Sequence, residues 1–101
     1  MGLRAVSDER LKQGIAPETL GLEFVKQLAP KQFRMKSAPE VQQHGFIAQD
    51  LEALISGADS LRMQYPDGVK GMSYTALIGP LVKAIQELTA KVEALEALQN
   101  G

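Results

Sequence analysis

The chain has 101 residues, 45% apolar and 23% charged, with a net charge of −1, the composition of one small folded domain. Interleaved acid and base give no electrostatic support for nucleic-acid or membrane-surface binding, and no apolar run approaches the roughly 20 residues of a membrane span. Cysteine is absent and histidine occurs once, so disulfides, thiol catalysis and thiolate metal sites are excluded, and His44 alone cannot build a transition-metal site. No cofactor and no metal are expected.

The opening MGLRAVSDER carries charges where a signal peptide would be apolar. It reads as a leader over residues 1–6, a cloning start or the remnant of an upstream segment, and a myristoylation signal is not matched in context. Residues 1–15 are polar with scattered apolar positions (Leu3, Val6, Leu11, Ile15) and read as extended chain or short strand with turns. In APETLGLEFVKQLAP, Pro17 suits a first helical turn and Glu18 the positive end of a helix dipole. Leu20, Phe24 and Leu28 recur every four residues, with Val25 beside them, which predicts a helical face ending before Pro30. Gly21 inside that helix would cost about 1 kcal/mol relative to Ala.

KQFRMK alternates through Phe33 and Met35 and reads as a half-buried strand. SAPEVQQ reads as a loop. HGFIAQDLEALISG begins extended at Phe46 and Ile47, then turns helical. Ile47, Leu51, Leu54 and Ile55 share one face, Gly57 is the stop, and Gln49 and Asp50 are helix-start and packing residues. Around Pro66-Asp67-Gly68, a strong turn signal, Met63, Tyr65, Val69 and Met72 predict a small hairpin. From Ser73 to Gln99 a long helix is expected, capped by Ser73 or Thr75, with Pro80 in its first turn or so.

That last helix carries the clearest pattern. Ile78, Leu81, Ile85, Leu88, Val92 and Leu95 are spaced 3, 4, 3, 4, 3, a heptad seam with β-branched residues at a and leucine at d. By that rule alone the seam leans toward two strands. Lys91 at g and Glu96 at the following e are placed for an inter-helix ion pair, while Lys83–Glu87 and Glu87–Lys91 are i,i+4 pairs along one helix. The competing reading is a helix packed on its own domain, but a helix of about 40 Å, at 1.5 Å per residue, would overhang so small a body. With aromatics at 5% and no tryptophan, the core leans on Leu, Ile, Val and Met, and oligomerisation would relieve the surface-to-volume problem of a small chain.

Ser7 and Lys12 stand five positions apart in S-D-E-R-L-K. A serine hydroxyl needs a neighbouring base to act as a nucleophile, and a lysine can serve when burial disfavours its charged form. Leu11 and Ile15 are the nearby apolar residues that would desolvate Lys12. The plainer alternative is that Ser7 caps a helix, although Arg10 at the third following position does not complete a capping box. Spacing alone favours the cap.

Four ordered segments extend the match: SDERLKQGI, FVKQLAPKQFRMK, HGFIAQDLEALI and GMSYTALIGPLVKAIQELTAKVEALE. Together, from Ser7 to about Leu95, they resemble the C-terminal intramolecular chaperone domain of phage tailspikes, endosialidases and tail fibres, a domain type also found in autocleaving myelin regulatory factor proteins. The family commonly has Asn-Ile shortly after the lysine, where this chain has Gln13-Gly14-Ile15. Gly14 keeps a turn-competent position.

The resemblance implies an α+β fold: a small mixed domain of short strands and two short helices over residues 7–73, then a helix over residues 74–101 forming a homotrimeric coiled coil through Ile78, Leu81, Ile85, Leu88, Val92 and Leu95. It also implies an intramolecular chaperone that drives trimerisation and folding of a phage tail spike or fibre and then releases itself, in a single turnover in cis, as a serine peptidase. Ser7 would be the nucleophile and Lys12 its base. Asp8 would orient Lys12 or hold the strand at the cut, and His44 would assist cleavage or assembly, or be a hydrogen-bonded structural histidine. The cut would fall among Val6, Ser7 and Asp8, at the Val6–Ser7 or the Ser7–Asp8 bond. The partners implied are two further copies and the upstream fibre of the same chain, with no nucleic acid and no membrane. The setting implied is the infected host cytoplasm during assembly, with the parent protein in the virion tail. The alternative is a non-catalytic trimerisation or adaptor module.

Overall fold

A computed structural model of the chain describes residues 6–100; apart from Val6, the leader lies outside the described residues. The fold is α+β. Two short helices, α1 (Leu22–Val25) and α2 (Ala48–Glu52), and two hairpins precede a long helix, α3 (Ile78–Asn100). The first hairpin pairs β1 (Lys31–Met35) with β2 (Ala38–Gly45), and the second pairs β3 (Arg62–Gln64) with β4 (Lys70–Met72).

A single cluster forms the core. Phe24, Leu51, Ile55, Leu61 and Leu77 are buried, with Leu20, Val25, Leu28, Phe46, Leu54, Met72 and Ala76 packed around them. The apolar spacing in both short helices thus points inward as expected, save for Ile47, which precedes α2 and stays exposed.

The helix expected from Pro17 is shorter than its periodicity. Regular helix begins only at Leu22, and Gly21 stands before it rather than within it. The reason is tertiary. Glu87 of α3 reaches across so that its Oε1 accepts the Leu22 N–H at 2.9 Å, capping α1 from outside its own segment. A Cβ on Gly21 would fall 1.8 Å from that oxygen, so glycine makes room for the cap. Glu87 is therefore turned to α1, and among the described residues it forms no ion pair with Lys83 or Lys91.

SAPEVQQ is not a loop. Most of it belongs to β2, which runs antiparallel to β1 with Lys31 opposite Gly45, Gln32 opposite His44 and Phe33 opposite Gln43, and a register irregularity between Phe33 and Met35. Pro39 removes one backbone donor, which is tolerable because each strand of a two-stranded sheet is an edge. All of β2 from Pro39 to His44 is exposed, so no apolar alternation announces it. Gly45 closes the strand against Tyr74. The Phe46 N–H donates to the Tyr74 hydroxyl at 3.1 Å, the two rings meet edge to face at 5.8 Å, and a Cβ on Gly45 would lie 2.1 Å from that hydroxyl.

Bonds from the Leu54 and Ile55 N–H groups to the Leu51 carbonyl tighten the end of α2, so the helix stops before Gly57. Gly57 instead turns the chain with φ +77°. In the second hairpin the turn behaves as expected: the Gly68 N–H donates to the Tyr65 carbonyl at 2.9 Å, Gly68 takes φ +88°, and the Asp67 carboxylate accepts the Val69 N–H. Lys70 of β4 is ion-paired with Glu52 of α2, which holds the Glu52 carboxyl below the usual range.

Ser73 does cap the approach to α3, its Oγ accepting the Ala76 N–H at 3.2 Å, ahead of a 3₁₀ turn at Thr75–Leu77. Pro80 is buried in the first turn of α3, where its missing N–H removes no helical bond. Leu77, Pro80, Ala84 and Glu87 form the stripe that meets α1 and the core. At 100° per residue that stripe lies about 90° around the helix from the a/d seam. Packing on the head therefore leaves the seam open, and every residue from Ile85 to Asn100 is exposed.

Candidate self-cleavage site

Residues 7–12 are brought together by one tight turn. A 3₁₀ turn at Glu9–Leu11 is closed by the Leu11 N–H on the Asp8 carbonyl (3.0 Å) and the Lys12 N–H on the Glu9 carbonyl (3.1 Å). Lys12 then leaves in extended conformation, φ −115° and ψ 156°. Folding back over this turn carries the Lys12 ammonium to Ser7, where Nζ donates to Oγ at 2.7 Å. A spacing of five does not align two side chains on an α-helix; the 3₁₀ turn with extended flanks does.

Asp8, not Ser7, is the cap. Its carboxylate accepts the Arg10 N–H at 2.9 Å and holds the Arg10 guanidinium through Nε (3.1 and 3.2 Å) and Nη2 (2.8 Å). Arg10 lowers the Asp8 pKa, first through its side-chain bonds and then through its backbone N–H. Of the two roles expected of Asp8, orienting Lys12 or holding the strand at the cut, the first has no Asp8–Lys12 hydrogen bond or ion pair among the described residues. Both carboxylate oxygens are engaged with the forked guanidinium two residues on, a geometry favoured for Arg–carboxylate pairs. No residue spacing in the sequence announces the Arg10 partnership; the tendency of an Asp side chain to accept the N–H two residues later is the signal that points to it. Ser7 is thereby left free of capping duty, with its hydroxyl turned to Lys12.

Gly14 follows with φ +65°, a left-handed conformation that Gly adopts freely and Asn tolerates best among other residues. It turns the chain just beyond Lys12.

The desolvation expected from Leu11 and Ile15 does not occur within one chain. Both are largely exposed, and so are Ser7 and Lys12. The turn packs against no other helix or strand of the described residues. His44 lies elsewhere, on β2 opposite Gln32, exposed and making no side-chain hydrogen bond to Ser7, Lys12 or any other described residue. The reading of His44 as a hydrogen-bonded structural histidine is accordingly not met. It lines an open cleft with Gly45, Phe46 and Tyr74.

The family described as chaperone of endosialidase matches residues 7–60. The chain belongs to that family. The match begins at Ser7, takes in the 3₁₀ turn, α1, the first hairpin and α2, and stops before β3. The family is a peptidase-related one, and its description supports the intramolecular chaperone role. No curated protein and no solved structure matches the chain. The second hairpin and α3 are thus outside the matched region, and their reading rests on this chain's own pattern and geometry.

Proposed function

We infer that this chaperone domain gathers three copies of its chain through α3 and frees itself by autoproteolysis at Ser7, with Lys12 as the base. The observation that carries the reading is the 2.7 Å contact between Ser7 Oγ and Lys12 Nζ, in a family related to peptidases. A heavy-atom distance of this size suits proton transfer in either direction.

In the proposed reaction a neutral Lys12 amine takes the proton of Ser7 Oγ. The oxygen attacks the carbonyl carbon of Val6, the Val6–Ser7 amide breaks, and an ester joins the Val6 acyl group to Ser7 Oγ while the Ser7 nitrogen leaves as an amine that takes up the proton. Water then hydrolyses the ester, giving a Val6 carboxylate and regenerating the Ser7 hydroxyl. Ring size favours this bond over Ser7–Asp8. Attack on the Val6 carbonyl closes a five-membered ring, whereas attack on the carbonyl of Ser7 itself would close a strained four-membered one.

Assembly supplies the reason for the domain. Registering three fibre chains carries a large entropic penalty, and a head whose helix gathers them first makes later contacts intramolecular. A cut after assembly makes the product hard to unfold by the same route, which is kinetic stability. The exposed seam Ile78, Leu81, Ile85, Leu88, Val92 and Leu95 supports self-association. The heptad rule by itself favours two strands; a trimeric fibre upstream, as the family resemblance implies, would hold the helices in threes. The proposed setting is the cytoplasm of a phage-infected cell, with the parent protein a component of the virion tail.

The test is a chain extended at its N-terminus by a tagged segment. Mass spectrometry should find the extension ending at Val6 and the domain beginning at Ser7, with Ser7→Ala and Lys12→Ala uncut but still assembled. Intact wild type in an assembled state would instead support the plain trimerisation module.

A further inference from the structure

The first hairpin, the start of α2 and β4 enclose an open groove of about 570 Å³, lined by Phe33, Met35, Phe46, Ile47, Met72 and Tyr74 among others. Met35, Ile47 and Tyr74 are 50%, 36% and 48% exposed. A depression lined mainly by apolar side chains, with Gln49 and Lys70 among them, points on so small a body to an interaction surface.

Its position relative to the seam narrows the occupant. Tyr74 stands seven residues before Leu81, set off from α3 by the 3₁₀ turn at Thr75–Leu77, so it adjoins the start of the seam without sharing its register. Its backbone is already helical, at φ −67° and ψ −35°. The groove, walled by Tyr74, therefore lies one short turn of chain before the start of the a/d stripe. A second copy laid along the stripe brings its own head beside it.

The polar N-terminal arm carries scattered apolar residues that lack a seat. Val6, Leu11 and Ile15 are 77%, 74% and 68% exposed, and the hydrogen bonds of this arm are all local. The arm departs at a matching level. Glu18, near its base, lies against Gly79 of α3, its Oε2 3.7 Å from where a Cβ would stand. Gly79 is five residues from Tyr74 along the chain, about 9 Å along the axis across the 3₁₀ turn and the start of α3. In a parallel assembly the copies share a height, so each arm leaves its head level with the neighbour's groove.

We propose that the groove is the seat for the N-terminal arm, Val6 to Ile15, of a neighbouring copy, and that this seat supplies the apolar wall around Ser7 and Lys12 that their own chain does not. The second half rests on the self-cleavage reading; the docking does not. Seating Leu11 and Ile15 on Phe33, Met35 and Ile47 removes water beside Lys12 Nζ, and a less hydrated ammonium gives up its proton more readily. Only an assembled copy then has a competent base.

The absence of native cysteine makes the docking directly measurable. In the full chain carrying Ser7→Ala, one tagged copy bears Leu11→Cys and an untagged copy bears Met35→Cys, and the two are refolded together and oxidised. A disulfide between the differently sized chains, at several-fold the yield obtained with Val69→Cys in place of Met35→Cys, is the expected result. Yield no greater than this control overturns the docking, as does a double variant that closes within one chain at dilutions where it is monomeric. Cleavage is then tested by complementation. Chains with Met35→Asp and Ile47→Asp and an intact Ser7 should remain uncut alone, yet be cut when refolded with Ser7→Ala chains whose grooves are intact. Wild-type cutting by the groove variant alone, or no rescue in the mixture, overturns the supply of the wall by a neighbour. If wild type does not cut, the self-cleavage reading fails while the disulfide result still decides the docking.

Discussion

The head and the far part of α3 use the same aliphatic residues in opposite ways. In the head, Phe24, Leu51, Ile55, Leu61 and Leu77 come from five places in the sequence and bury one another. Beyond Ala84, Ile85, Leu88, Val92 and Leu95 are equally apolar, yet 45–63% exposed. The head has solved its burial problem within one chain; the helix and the N-terminal arm have not. Past Glu87, the last residue of α3 bonded to the head, the remaining turns of helix would be marginal in water by themselves, and on the proposed reading the apolar residues at a and d are covered by another copy. Intramolecular burial thus resides in the head, and under the proposed assembly the overhanging parts are the surfaces that would meet further copies.

The largest effect should come from breaking the overhang. Leu88→Asp places a charge in the centre of the seam, and sedimentation should show the assembly lost outright, with helicity reduced in the far half of α3. The urea midpoint of the head should stay close to that of diluted wild type; an equal fall in both would show that the two regions are one cooperative unit. Leu51→Ala tests the other side. Leu51 is 3% exposed, and truncating so buried a leucine costs about 2–5 kcal/mol, which urea denaturation of the monomeric Leu88→Asp background would register directly.

Smaller changes sharpen the boundary between the regions. Glu87→Ala removes the acceptor for the Leu22 N–H and should cost the head about 1 kcal/mol, the usual magnitude of a lost helix cap, while leaving association almost unchanged because Glu87 lies off the seam. The smallest effect is the pH response of Glu52. Its pKa is lowered chiefly by the bond from Lys70, so the pair stabilises the head above the ordinary Glu value of 4.5 and ceases to do so as pH falls through the depressed one. Glu52→Gln should be less stable than wild type at neutral pH, with the difference vanishing in acid when unfolding midpoints are compared across pH.

Where the sequence was readable, one segment's own pattern was sufficient. The Pro66-Asp67-Gly68 hairpin, the strand through Phe33 and Met35, the faces of α1 and α2 and the heptad run of α3 each announce themselves through local periodicity or turn chemistry. The elements that no local pattern announces share a different character. β2 was hidden because an exposed strand bearing Pro39 and two glutamines has no apolar alternation; only its hydrogen bonds to β1 make it a strand. The late start of α1 depends on Glu87, which is 65 residues away from Leu22. The candidate site was split in the same way. Ser7 and Lys12 were legible as a pair of the right residue types, whereas the allocation of the cap to Asp8 depends on Arg10 folding back over the same turn.

What the sequence determined by itself is therefore the set of local elements, the seam and the identity of the Ser7–Lys12 pair, because periodicity and residue chemistry are properties of neighbouring residues. The tertiary structure decided which apolar residues are spent on the core and which are left over. That allocation depends on the angle at which α3 meets α1: packing through Leu77, Pro80 and Ala84 leaves the a/d stripe, the groove at Tyr74 and the arm around Ser7 facing outward, a distribution that no single stretch of the chain encodes.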